Sequence, residues 1–275
     1  MQETSGATEL QNETRDQELA ELALEQADFA GAALDPSPNF GPRRDGKTPV
    51  YLILHYTGLA TAQEAVDILK SPEMEVSAHY LVHEDGQVVQ MVSEKARAWH
   101  AGKSFWKGET DINSASIGIE IVNPGVLQDY PPFKDGQIEA VIRLSRDICE
   151  RYAILPENVL AHSDIAPARK TDPGHNFPWK RLHEAGIGHF IEPTPIRGGR
   201  FLARGEQGQP VEALQSMLAL YGYGIEITGV FDEDTETVVK AFQRHFRTQN
   251  VDGVADVSTI DTLYRLIFSR QNVTA

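Results

Sequence analysis

The chain holds a single cysteine, Cys149, so no disulfide can form within it and cysteine usage leaves the compartment open. Cationic side chains are scarce relative to anionic ones: 25 Lys and Arg stand against 40 Asp and Glu, a formal net charge of -15. That excess repels phosphate backbones and anionic membrane surfaces, which excludes nucleic acid as an expected partner. Long apolar runs are also missing. The N-terminal stretch MQETSGATELQNETRDQELAELALEQADFA has no basic start, no apolar core and no cysteine for lipid attachment, so the sequence shows neither a signal peptide nor a membrane span. The expectation is a cytoplasmic monomer, with the periplasm or cell envelope as the alternative if a native leader has been removed. Finally, no G-x-G-x-x-G loop is present, which favours a mixed sheet with packed helices over a dinucleotide-binding fold.

What remains is ample for a folded enzyme. With 275 residues, 41% hydrophobic and 24% charged, the chain can bury a sizeable core and build two domains. Residues 1–35 read as an acidic, flexible extension able to form a short solvated helix within 8–30. The Pro- and Gly-rich connector 35–49 leads into VYLIL, a continuous apolar run of the length of a buried central strand, with His55 at its end. Thr61 and Glu64 have capping-box spacing and predict a helix over about 62–70. HYLVHE and QVVQMV flank Asp85-Gly86, a signal for a two-residue hairpin turn. SIGIEIVN at 116–123 alternates as a strand, Ile138 to Tyr152 keep helical spacing over about 135–153, and VLAH reads as a short strand delivering His162. The fold class expected for residues 36–192 is α/β, a mixed central sheet with packed helices.

After a linker at 193–199 the pattern changes. Gly229-Val-Phe-Asp232-Glu-Asp-Thr235 recurs as Gly253-Val-Ala-Asp256-Val-Ser-Thr259, each a turn leading into a capped helix. With the helix around Val211, Leu214 and Leu218 this predicts a small, internally duplicated three-helix domain over 200–270. Its removal is expected to leave turnover of soluble substrate nearly unchanged.

The chemistry concentrates in LAHSDIAPARKTDPG, which crowds His162, Asp164, Arg169, Lys170 and Asp172 into one segment. With His55 ending another strand, two imidazoles and a carboxylate would make a zinc site with an open fourth position, the catalytic rather than structural arrangement. Water there needs a base to deliver it to an amide carbonyl, and Glu120 on the SIGIEIVN strand is the candidate, with Lys170 as the cation for the oxyanion. Spacing leaves alternatives open: His79, His83 and His100 compete as ligands, and Asp164 competes with Asp172.

LILHYT, SAHYLVHEDG, RAWHAG, SIGIEIVN and AHSDIAPARKTDPG occur in this order over about residues 50–180, and together they resemble the type-2 N-acetylmuramoyl-L-alanine amidases, relatives of the animal peptidoglycan recognition proteins. The resemblance implies that fold, zinc on His55, His162 and Asp172, Glu120 as general base and Lys170 on the oxyanion side. It places Tyr56, Trp99, His100 and Arg169 as substrate-binding positions, with Arg169 facing the stem-peptide carboxylate. Trp106 joins Trp99 as a wall of the sugar groove, and Asp164 becomes a loop-fixing carboxylate. The C-terminal part resembles a peptidoglycan-binding domain. The partner so implied is peptidoglycan or a muropeptide; the rivals are a non-catalytic recognition protein on the same fold and a zinc endopeptidase.

Overall fold

The computed structural model describes residues 16–271, so the first fifteen residues of the expected extension lie outside the described residues. The remainder of that segment is tied to the sheet. Asp28 accepts a hydrogen bond from Glu94 N at 2.9 Å, and β1 (Ala32–Leu34) pairs in parallel with residues 88–90. Flexibility over the whole of 1–35 is therefore corrected at its C-terminal end, where edge pairing satisfies the backbone.

β2 (Phe40–Gly41) pairs with residues 97–98, and the apolar run becomes β3 (Tyr51–Tyr56). Helix α1 (Ala62–Lys70) starts as expected, Thr61 Oγ1 accepting from Glu64 N at 3.2 Å. The hairpin of β4 (Tyr80–Val82) and β5 (Val88–Gln90) differs from expectation. His83 N donates to Gln87 O at 2.9 Å, which leaves three residues, 84–86, in the loop. A two-residue type I′ turn needs positive φ at both centres, whereas here only Gly86, at φ 88°, is left-handed. β6 (Arg97–Ala98), the short α2 (Ile112–Ala115) and β7 (Ser116–Ile121) follow. Then come α3 (Asp135–Tyr152), closed by Ala153 in the left-handed region, and β8 (Val159–Ala161).

The main sheet runs β1-β5-β4-β7-β3-β8. It is mixed, with β3 parallel to β7 and β8, and β4 parallel to β7 but antiparallel to β5. Because side chains alternate, each central strand serves two interiors. Leu52, Leu54, Ile117, Ile119 and Ile121 pack with Ile138, Val141, Leu144 and Ile148 of α3. The opposite face carries Ile53, Gly118 and, one step further along, the in-register pair His55 and Glu120. The α/β expectation is met, and the SIGIEIVN alternation separates core from site.

The one-turn helix α4 (His162–Ile165) and α5 (Trp179–Glu184) complete this half. Beyond the connector stand α6 (Gln209–Tyr221), α7 (Glu233–Phe246) and α8 (Val257–Gln271). The duplication is visible in atoms: Asp232 Oδ1 caps Thr235 N at 2.9 Å and Asp256 Oδ1 caps Thr259 N at 2.7 Å. A buried glutamine braces each turn, Gln215 accepting from Gly229 N and Gln243 from Gly253 N.

These helices pack directly on the sheet-bearing half of the chain. Ile53, Leu160, Ile165 and Ala166 share one continuous core with Leu214, Leu218, Phe242 and Phe246. Trp106 is fully buried there, its ring 4.9 Å from that of Tyr223, and Lys107 N donates to Gly222 O at 2.9 Å. Gly222 permits the approach, since a Cβ there would lie 2.6 Å from the Trp106 ring. Trp106 thus belongs to the junction and not to a sugar groove. Removing the helices would expose this apolar surface, which bears on the expectation that turnover of soluble substrate survives their removal.

Candidate active site

Three elements bring the expected ligands together. β3 delivers His55, the end of β8 delivers His162, and the following loop returns Asp172, whose carbonyl accepts from Ser163 N at 3.0 Å. His55 Nδ1 lies 2.9 Å from His162 Nδ1 and 3.1 Å from Asp172 Oδ2, and His162 Nδ1 lies 3.0 Å from the same oxygen. All three residues are buried, and they are the one cluster of this kind among the described residues. His79, His83, His100 and Asp164 stand outside it.

The surrounding hydrogen bonds fix which nitrogens carry hydrogen. His162 Nε2 faces the carbonyl of Ala101 at 3.2 Å. A carbonyl only accepts, so Nε2 carries a hydrogen, and in the neutral ring that a metal requires Nδ1 is bare. For His55 the deduction takes three steps. Ser116 Oγ is 2.6 Å from Ile112 O and must donate its single hydrogen there. It therefore accepts from His100 Nε2 at 3.1 Å, which leaves His100 Nδ1 bare to accept from His55 Nε2 at 3.0 Å. His55 Nδ1 is then bare as well. Two imidazole lone pairs and a carboxylate oxygen thus converge at about 3 Å, an arrangement that repels itself unless a cation occupies the centre. Tetrahedral zinc with bonds of about 2.0–2.1 Å sets its ligands roughly 3.3 Å apart, so the donor set fits.

Electrostatics agree. Burial, aided by the facing His162, pushes His55 down to about 4, so its imidazole is neutral near pH 7, as a ligand must be.

Glu120 pairs in register with His55 but contributes no ligand atom. Its Oε2 is buried without a hydrogen-bond partner. Burial, reinforced by Asp172 and opposed by Lys170, raises its pKa well above 4.5. The site opens into a cleft of ≈ 400 Å³ lined by Tyr56, Trp99, His100, Glu120, Arg169, Lys170 and Asp172 among others. Tyr56 Oη is 3.0 Å from Thr171 Oγ1 and Trp99 is half-buried. His100 presents a ring edge, but both its nitrogens are turned to His55 and Ser116. Arg169 holds the carbonyls of Ala101 and Lys103 at 2.9 and 2.6 Å, so it pins the RAWHAG loop. Sequence reasoning missed Ser116 and Gly118. A Cβ at Gly118 would lie 2.5 Å from the His100 ring, so glycine makes room for it; the S-x-G-x-E alternation on the site face was the available signal.

Such a site, a buried His-His-Asp triad able to hold a metal ion beside an unpartnered carboxylate in a cleft, is an arrangement suited to hydrolysis. Residues 45–175 match the family N-acetylmuramoyl-L-alanine amidase, and residues 207–263 match a putative peptidoglycan binding domain. The chain is 39% identical over 222 residues to N-acetylmuramoyl-L-alanine amidase AmiD of Escherichia coli K12, covering 76% of this chain and 78% of that one. It is 34% identical over 178 residues to the E. coli 1,6-anhydro-N-acetylmuramyl-L-alanine amidase AmpD, covering 58% and 95%. Among solved structures, the E. coli AmiD complex with anhydro-N-acetylmuramic acid-L-Ala-D-gamma-Glu-L-Lys superposes with TM-score 0.69 at 35% identity, over 89% of this chain and 93% of that one. AmpDh3 of Pseudomonas aeruginosa with anhydromuramic pentapeptide gives 0.67 at 31%, over 90% and 99%. The chain belongs to the N-acetylmuramoyl-L-alanine amidase family.

Proposed function

We propose that this protein is a zinc-dependent amidase that hydrolyses the bond between the lactyl group of N-acetylmuramic acid, or its 1,6-anhydro form, and L-alanine of the stem peptide. The observation that carries the reading is the convergence of two bare imidazole nitrogens and a carboxylate oxygen beside Glu120. His55, His162 and Asp172 would hold the metal, which when bound supplies the Lewis acid that polarises the amide carbonyl and eases deprotonation of water. Glu120 accepts the proton of the attacking water and returns it to the departing L-alanine nitrogen; a base kept free of hydrogen-bond partners is available for both transfers. Lys170 lines the same cleft and would meet the oxyanion. Tyr56, Trp99 and His100 line the cleft and would bound the sugar and lactyl group, and Arg169, whose guanidinium holds the carbonyls of Ala101 and Lys103, would face the stem peptide.

The helical part, about residues 200–270, would hold polymeric peptidoglycan while the unit of about 36–192 cuts. No helix among the described residues is long and apolar enough to cross a membrane. Digestion of purified anhydro-muropeptides, with products identified by mass, tests the activity. Free stem peptide with an L-alanine amino terminus is expected. Cleavage within the peptide would instead make the chain an endopeptidase, and binding without products would make it a recognition protein.

A further inference from the structure

Asp164 follows His162 by two residues and takes no part in the metal triad, yet it is completely buried. Its carboxylate is satisfied by three donors. Oδ2 accepts from Ala161 N at 2.8 Å and from His245 Nδ1 at 2.7 Å, and Oδ1 accepts from Tyr223 Oη at 2.7 Å. Two of these donors belong to the helical part of the chain, from the far side of the connector. Both are held in place. Tyr223 is buried against Trp106, and the His245 ring stacks on Trp179 and Phe246 at 3.7 and 3.8 Å between centroids.

We infer that Tyr223 and His245 are positioning residues for the metal centre: by gripping Asp164 they set the turn that presents His162, so the helical domain shapes the site from behind. A buried carboxylate must keep its donors or drag its backbone toward water. The backbone in question is short and shared. Ala161 N is bonded to Asp164, His162 begins the same turn, and Ser163 N holds the carbonyl of Asp172, so two of the three ligands hang from it. A shift of a few tenths of an ångström here moves His162 Nδ1 relative to His55, which is fixed independently through His100 and Ser116. The inference rests on the metal reading above. It adds that occupancy of the helical domain and the geometry of the triad are coupled, and coupling of this kind runs in both directions.

The test uses the full-length protein with Tyr223→Phe, His245→Leu and His245→Gln, the last retaining a side-chain donor. Zinc affinity is measured by competition with a chromophoric chelator, the ligand geometry by the visible absorption of the cobalt-substituted protein, and folding by circular dichroism. Tyr223→Phe and His245→Leu are expected to stay folded, to lose about tenfold in zinc affinity, the low end of the scale for groups that orient metal ligands, and to alter the cobalt spectrum. His245→Gln should recover most of both. Folded Tyr223→Phe and His245→Leu proteins with wild-type affinity and spectrum would overturn the inference alone. A wild-type chain that took up no zinc would overturn the metal reading and this inference with it.

Discussion

Replacing Glu120 by Gln is expected to do two opposite things, and their combination separates a catalytic base from a structural carboxylate. The substitution keeps size and one carbonyl oxygen but removes basicity, so kcat should fall by about 10²-fold or more while metal and substrate still bind. The second effect is on the metal-free protein. Burial and Asp172 raise the Glu120 pKa well above its ordinary 4.5. Between that ordinary value and the raised one, the folded chain keeps a proton that the unfolded chain has released. The unfolded state then binds fewer protons, so this contribution to stability is fully present below about pH 4.5 and is lost as pH rises through the folded pKa. The slope for one proton is about 1.4 kcal/mol per pH unit.

Urea unfolding of chelator-treated wild type and Glu120→Gln, at half-unit steps from about pH 4.5 upward, reads this term directly, since most other groups cancel in the difference. Wild type should lose stability relative to the variant with a limiting slope of about 1.4 kcal/mol per pH unit. In the zinc-loaded enzymes, the acid limb of kcat/KM should be present in wild type and absent in the variant. Parallel stability curves, together with near-normal turnover in Glu120→Gln, would refute the reasoning and require another base.

Lys170→Ala should keep zinc and lose kcat by roughly 10²-fold, the scale of a missing oxyanion partner; chelator competition and steady-state kinetics check the two halves. Ser116→Ala breaks the hydrogen-bond chain that leaves His55 Nδ1 bare, so zinc affinity should drop about tenfold with little change in turnover once saturated, as titration of activity against free zinc will show. Deleting residues from 200 onward should impair hydrolysis of small soluble muropeptides as well as sacculi, because the cut removes two donors from Asp164 and bares the shared core; equal activity on the small substrate would show the helices to be separable.

Local grammar made much of this legible. The apolar run before His55, the Thr61 cap, the SIGIEIVN alternation and the Asp232 and Asp256 caps each report a contact within a few residues, and each is found in the structure. Residues at two strand ends and the next loop could be named as candidate ligands, but spacing left His79, His83, His100 and Asp164 open, and only the family resemblance singled out His55, His162 and Asp172. What stayed hidden depends on distant pairing. Asp164 meets Tyr223 and His245 across 59 and 81 residues, and no periodicity announces such a contact. Trp106 looked like a groove wall because its burial is supplied by helices more than a hundred residues away. Gly86 alone, without positive φ at Asp85, lengthened the hairpin loop, a distinction that the dipeptide cannot carry.

The central claim is that His55, His162 and Asp172 hold a zinc ion on which hydrolysis depends. Elemental analysis of the purified full-length protein beside His162→Ala, with muropeptide hydrolysis assayed on the same samples, tests it most directly. The account predicts one zinc per wild-type chain, and loss of zinc and activity together in the variant. A His162→Ala protein that retained stoichiometric zinc, or a metal-free wild type that still released stem peptide at full rate, would contradict it.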